Sequence, residues 1–111
     1  MQVVLSMNKD TLIAKMSGEL DHHSAEEVRE KLERCIINKS AKNLIFDFSN
    51  LTFMDSSGIG MIIGRFKLIS AMGGKVQIVC KSRQIDKLIS MSGLKKIIKV
   101  YDDIKQAIES I

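Results

Sequence analysis

The run Leu44-Ile45-Phe46-Asp47-Phe48 constrains this chain more than any other segment, because it is nearly continuous in apolar character and rich in β-forming residues. A strand of that kind has no solvent face. Both of its sides must be covered, which requires a sheet with other elements packed above and below it. Short β-rich runs and patterns of helical period alternate around it. Gln2 to Met7 and Thr11 to Met16 flank the turn-forming cluster Asn8-Lys9-Asp10 and read as a hairpin, with Gly18 closing the second strand. Ser24-Ala25-Glu26-Glu27 has the S-x-x-E form of a capping box, in which two side chains satisfy each other's backbone donors. The helix that follows carries Ala25, Val28, Leu32, Cys35 and Ile36 on one stripe, with Glu26, Arg29, Glu30, Lys31 and Glu33 opposite. After the central strand, a loop through Ser49-Asn50-Leu51-Thr52 leads to Asp55-Ser56-Ser57-Gly58. Ile59 to Met72 then read as helix, ended by Gly73-Gly74. Lys75 to Cys80 is a strand. Ser82 caps a third helix with Ile85, Leu88 and Ile89, Ile97 to Val100 is a last short strand, and Asp102 caps a terminal helix. The expectation is an α/β fold forming one domain over residues 1–111. It has a mixed sheet of four to five strands, parallel in its later part, about four helices, and right-handed crossovers.

Composition narrows the function classes. A chain of 111 residues supports one hydrophobic core, and its formal charge of +4 is spread along the sequence without a basic cluster that would track a phosphate backbone. No nucleic-acid partner is expected. No apolar run approaches the ~20 residues that span a bilayer, and Met1 leads into Val3-Val4-Leu5 without a charged leader, so a cytoplasmic protein with no membrane partner is expected. Cys35 and Cys80 lack metal-ligand spacing and read as buried free thiols; no metal site or cofactor is expected.

The segment Met54-Asp55-Ser56-Ser57-Gly58-Ile59-Gly60 places hydroxyls where an apolar strand gives way to a helix. Two readings compete there. Asp and Ser are common helix caps, and the unpaired N–H groups and partial positive charge of a helix start also hold a phosphate well. Gly58-x-Gly60-x-x-x-Gly64 misses the dinucleotide fingerprint by one residue and has no acidic partner at the end of the next strand. His22-His23 with Ser56 or Ser57 lacks the Gly-x-Ser-x-Gly elbow of a hydrolase, and no third ligand supports metal binding by the pair. Asp21 sits in a strand-end loop that either approaches the Ser56 turn or caps the first helix. The second helix has more apolar residues than one stripe needs: Ile59, Ile62, Phe66 and Ile69 form a core set, and Met61, Leu68 and Met72 form another. Full burial would explain this. So would a partner-binding face, which Arg65 and Lys67 favour by interrupting the apolar surface, with Gly60 and Gly64 permitting close backbone approach.

Three separated motifs carry a resemblance across essentially the whole chain: Gly18-Glu19-Leu20-Asp21-His22-His23, Phe53-Met54-Asp55-Ser56-Ser57-Gly58-Ile59-Gly60, and Met91-Ser92-Gly93-Leu94 with Ile97-Ile98. Together they resemble the anti-sigma factor antagonists of spore-forming bacteria, within the wider family of STAS domains, and the double histidine points to the sporulation branch. The resemblance implies a partner switch. The unphosphorylated antagonist binds an anti-sigma factor that is also a serine kinase, and this releases the sigma factor. Phosphorylation abolishes the binding, and a PP2C-type phosphatase restores it. The acceptor in this family is the serine directly after the aspartate, here Ser56, with Asp21, Asp55, Ser57, Gly58, Met61 and Leu68 as partner-contact candidates. Such a protein is a substrate and a docking face, not an enzyme. A nucleotide-binding or nucleotide-hydrolysing protein and a scaffold-type subunit are the alternatives.

Overall fold

The computed structural model describes residues 1–111. Its elements are β1 (Gln2–Asn8), β2 (Thr11–Leu20), α1 (Ala25–Asn38), β3 (Asn43–Met54), α2 (Ser56–Ala71), β4 (Val76–Val79), α3 (Arg83–Met91), a 3-10 turn at Leu94–Lys96, β5 (Lys99–Tyr101) and α4 (Ile104–Glu109). One sheet holds all five strands in the order β1-β2-β3-β4-β5. β1 and β2 are antiparallel, Asn8 pairing with Thr11 across a tight turn, and every later pair is parallel. No helix is long and apolar enough to cross a membrane.

The alternation of side chains along each strand separates two cores. Leu12, Ala14 and Met16 of β2, Leu44, Phe46 and Phe48 of β3, and Val76 and Ile78 of β4 pack with the apolar stripes of α1, α2 and α3. The intervening Ile45 and Val79, with Ile13 and Tyr101, pack instead on Ile104, Ala107 and Ile108 of α4. Residues Asn43 to Phe48 are therefore buried throughout, as a strand between two layers must be. The three crossover helices share one face of the sheet, and α4 alone covers part of the other. Cys80 is buried and Cys35 half-buried, both as free thiols.

Several local expectations are corrected. Ser49 to Thr52 are not a loop: β3 continues through them to Met54 because Asn50, Leu51, Phe53 and Met54 pair with Ser17 to Leu20 of β2. Their polar groups are met in place, the Asp47 carboxylate accepting from the Ser49 N–H at 3.0 Å and Thr52 Oγ1 donating to the Gly18 carbonyl at 3.0 Å. Gly18 accordingly does not close β2. It sits at a register shift between β2 and β3 with φ +97°, a conformation that favours glycine, and the strand runs on to Leu20. The cap of α4 is Asp103, which accepts from the Lys105 N–H at 2.7 Å; Asp102 stands one residue too early. The capping box of α1 is not formed, for a reason that belongs to the site.

Candidate functional site

β2 and β3 end side by side, Leu20 paired with Met54, so the loops that leave them are neighbours. The carboxyl ends of parallel strands are where α/β folds place ligands and partners. Asp55 joins the two loops. In extended conformation it caps α2, one carboxylate oxygen accepting from the Ser57 N–H at 2.9 Å and the other from the His22 N–H at 3.1 Å. Its own N–H donates to the Leu20 carbonyl at 3.3 Å, and its carbonyl accepts from Gly58 and Ile59. The expectation that Asp21's loop approaches the Ser56 turn is met through this backbone contact.

Asp21 itself turns inward on its own loop. Its carboxylate accepts from the N–H groups of His23 at 2.9 Å and Ser24 at 3.1 Å. The Ser24 hydroxyl accepts from the Asp21 N–H at 3.0 Å and lies 3.0 Å from the Glu19 carbonyl, so it is not free to cap α1. Ser24 has helical dihedrals and makes no side-chain cap bond, which is why the S-x-x-E pattern fails here. Partial desolvation raises the Asp21 carboxyl pKa. The N–H groups of Ser24 and His23, the Ser24 hydroxyl and the His23 ring outweigh that effect and hold it below the ordinary value. Both imidazoles are exposed, their rings edge-on at 5.7 Å, and it is the His22 backbone that contributes to the site.

Beyond the cap, Ser56 occupies the first helical position of α2, exposed and with no hydrogen bond to its hydroxyl within the chain. Ser57 is half-buried. Gly58 is required by packing: a Cβ there would stand 2.6 Å from Met54 Cγ and 3.1 Å from Leu20 Cγ, so the first turn of α2 presses on the ends of β2 and β3. Gly60 and Gly64 face open space, and all three glycines lie inside the helix, not in a strand-to-helix turn. No three His, Cys, Asp or Glu side chains converge anywhere in the chain.

The second apolar flank of α2 is not one open surface. Met61 is 5% exposed, Leu68 is half-buried against the core, and only Met72, at the end of the helix, is open. Arg65, on the same flank, is buried as well; its Nη2 lies 3.1 Å from Glu33 Oε1 of α1. The flank is a helix–helix seam, because α1 packs across it. Glu33 in turn receives Arg29 at 2.7 Å, and Arg29 also pairs with Glu26. Burial pushes the Arg65 guanidinium pKa down, opposed by Glu33. Sequence patterning missed this ionic seam, since an arginine among apolar residues reads as an exposed position. The available signal was Arg65 four residues after Met61, facing a helix with Arg29 and Glu33 at i,i+4 spacing.

Comparison with known proteins gives a consistent set of likenesses. Residues 2–107 match the STAS domain family. An anti-sigma F factor antagonist of Paenibacillus polymyxa is 38% identical over 103 residues, covering 93% of this chain and 88% of that protein. The solved structure of the anti-sigma factor antagonist SpoIIAA in its unphosphorylated form superposes with a TM-score of 0.78 at 29% identity, covering 98% of this chain and 96% of that one. The Bacillus cell fate determinant SpoIIAA in its phosphorylated form gives 0.76 at 31% identity, covering 98% of each chain.

Proposed function

The chain belongs to the STAS-domain family of anti-sigma factor antagonists, and on that premise we propose that it is a phosphorylation-controlled switch with Ser56 as the acceptor. In its unphosphorylated state it binds a cytoplasmic anti-sigma factor with serine kinase activity, which frees the sporulation sigma factor. Phosphate on Ser56 abolishes the complex, and a PP2C-type phosphatase removes it. The chain supplies a substrate serine and a docking face, while the kinase supplies ATP and the catalytic groups.

The free, solvent-facing hydroxyl of Ser56 at the start of α2 carries this reading. A phosphate there adds about 1.5 to 2 negative charges at a helix N-terminus, where the fold tolerates them. The first turn of α2 contains no acidic residue, and both oxygens of the adjacent Asp55 are engaged by N–H groups, which moderates its repulsion. Docking does not tolerate the same group. Desolvating it without a cation costs several kcal/mol, and each ~1.4 kcal/mol is a tenfold loss of affinity. The near-equal superposition on SpoIIAA in its two phosphorylation states agrees with a switch that changes surface charge and leaves the fold alone. The partner face includes Asp21, Asp55 and Ser57 around the turn, while Gly58, expected on that face, is buried against Met54 and Leu20 and instead seats the turn on the strand ends. Gly60 and Gly64 lie along the open side of α2, Leu68 contributes at its edge, and Met61 acts from beneath.

Incubation with the cognate anti-sigma kinase and ATP, followed by intact-mass spectrometry, site mapping and a binding assay, tests the proposal. One phosphate on Ser56 with loss of stable binding is expected. A phosphate elsewhere, or binding that survives it, would overturn the assignment.

A further inference from the structure

The edge of the sheet at β1 is bare, and its sequence does nothing to discourage pairing. β1 reads Gln2-Val3-Val4-Leu5-Ser6-Met7-Asn8, with no charge and no proline, and its register with β2 runs without a bulge from Asn8 opposite Thr11 to Gln2 opposite Ser17. Open edges are ordinarily blunted by one of those devices, most often a lysine, and β5 at the other edge carries Lys99. The register also says which backbone groups are free. Only Lys9 and Asp10 separate the two strands, so Asn8 and Thr11 exchange hydrogen bonds, and every second residue back along an antiparallel ladder does the same. Gln2, Val4, Ser6 and Asn8 are thus turned to β2. Val3, Leu5 and Met7 direct their N–H and C=O groups outward, where no segment of the chain meets them. The side chains of these three are half-buried on the helix side of the sheet, and those of the other four are exposed on the opposite side.

We propose that this edge pairs with the same edge of a second copy, antiparallel and centred on Leu5, giving a two-fold dimer with one sheet continuous through both copies. The strand is complementary to itself in that register. Val3 meets Met7 of the second copy, Leu5 meets Leu5 and Gln2 meets Asn8, so each apolar residue on the helix side faces another and amide faces amide. The outward N–H and C=O groups of Val3, Leu5 and Met7 then satisfy one another. A slip of one residue sets the outward groups of one strand against residues whose groups point away, which fixes the register. An uncharged strand gives a foreign partner no charge to recognise, and the match its pattern supplies is its own sequence reversed. Seven residues make a small seam beside the roughly 1,200 Å² that stable complexes bury, so the dimer is reversible and forms with rising concentration. Because β1 runs against β2, the two Ser56 turns lie at opposite ends of the assembly, and the pairing is independent of the docking reading above.

Two measurements on the full chain decide this. In the first, sedimentation and amide hydrogen exchange of the wild type are followed from micromolar to millimolar concentration. The mass is expected to rise from that of one chain, 12.4 kDa, toward that of two. Over the same range the Val3, Leu5 and Met7 amides should slow roughly tenfold, while those of Val4 and Ser6, already bonded to β2, stay protected throughout. In the second, Val4→Glu/Ser6→Glu is compared with Val4→Glu/Ser6→Lys, with a thermal melt of each. Both positions are exposed, and Val4 stands opposite Lys15, which accommodates a glutamate there. Position 4 faces position 6 of the second copy, so the first variant sets like charges across the seam and the second sets opposite ones. Self-association weakened about tenfold in the first and recovered in the second is expected. A wild type that keeps the mass of one chain at every concentration would overturn the proposal, as would a dimer whose Val3, Leu5 and Met7 amides exchange as fast as in the single chain. Equal association of the two folded double variants overturns it as well. Protection of those amides only when the anti-sigma kinase is added would assign the edge to another protein and overturn the second copy as its occupant.

Discussion

The starts of α1 and α2 are built from the same residue types and do opposite things. Each follows a strand that ends in the same corner of the sheet, and each has an aspartate whose carboxylate accepts backbone N–H groups. At α1 the serine hydroxyl is locked between backbone groups of its own loop, and Glu26 and Glu27 fill the first turn. At α2 the carboxylate does the capping, the following serine stays free, and the first turn has no acidic residue. A phosphate at α1 would meet Glu26 and Glu27 and displace structural hydrogen bonds; at α2 it would displace none and would face only Asp55, whose carboxylate is already held by two N–H groups. The difference lies in how many hydrogen bonds each hydroxyl already makes and in the charge of the first turn behind it.

The sharpest way to break this comparison is to place charge at each start. Ser56→Asp should weaken binding to the anti-sigma kinase by about a hundredfold, roughly 2.7 kcal/mol, while its urea-unfolding midpoint stays near wild type. Ser24→Asp should do the reverse, lowering stability and leaving phosphorylation of Ser56 by the kinase intact. Equal loss of binding in both variants would remove the distinction between the two loops. Next in size is Asp55→Ala, which removes a helix cap and the tie to His22 together. A loss of about 1–2 kcal/mol in chemical denaturation is expected, larger than for Ser56→Ala, which should stay within about 0.5 kcal/mol and still bind the kinase.

A smaller effect follows from acid. The Asp21 carboxyl titrates below its ordinary value in the fold, so it stabilises the protein above the unfolded-state pKa near 3.8, and that contribution is lost as pH falls through the lower folded value. Denaturation midpoints measured between pH 6 and pH 3 should therefore fall less steeply in Asp21→Asn than in wild type. Parallel slopes would show that the Asp21 loop is not held by its ionised carboxylate.

The strand-and-helix alternation was legible because its signals are repeated: Leu44 to Phe48 as a two-sided strand, the stripe from Ala25 to Ile36, and the hairpin at its turn-forming cluster all appear as read. Features that depend on a partner segment were not. Ser49, Asn50 and Thr52 look like a loop until β2 is placed beside them, and Ser24 looks like a cap until Glu19 and Asp21 compete for its hydroxyl. Arg65 is the strongest case, since it is buried where α1 packs across α2 and its ion-pair partner, Glu33, arrives on that other helix. In the site, the Asp55-Ser56 turn was visible locally, and the bond from His22 to Asp55, 33 residues apart, was visible only as proximity of two strand ends.

The order of strands in the sheet is also the order in which a ribosome delivers them. Each new strand finds its neighbour already made and extends a single growing edge. No strand has to wait for a later one or insert between two that have paired. Chain ordering of this kind keeps contacting segments close along the backbone, which shortens the search for native pairings. The last strand to arrive, Lys99–Tyr101, is only three residues long, so the finished sheet closes on a stub too short to recruit another chain.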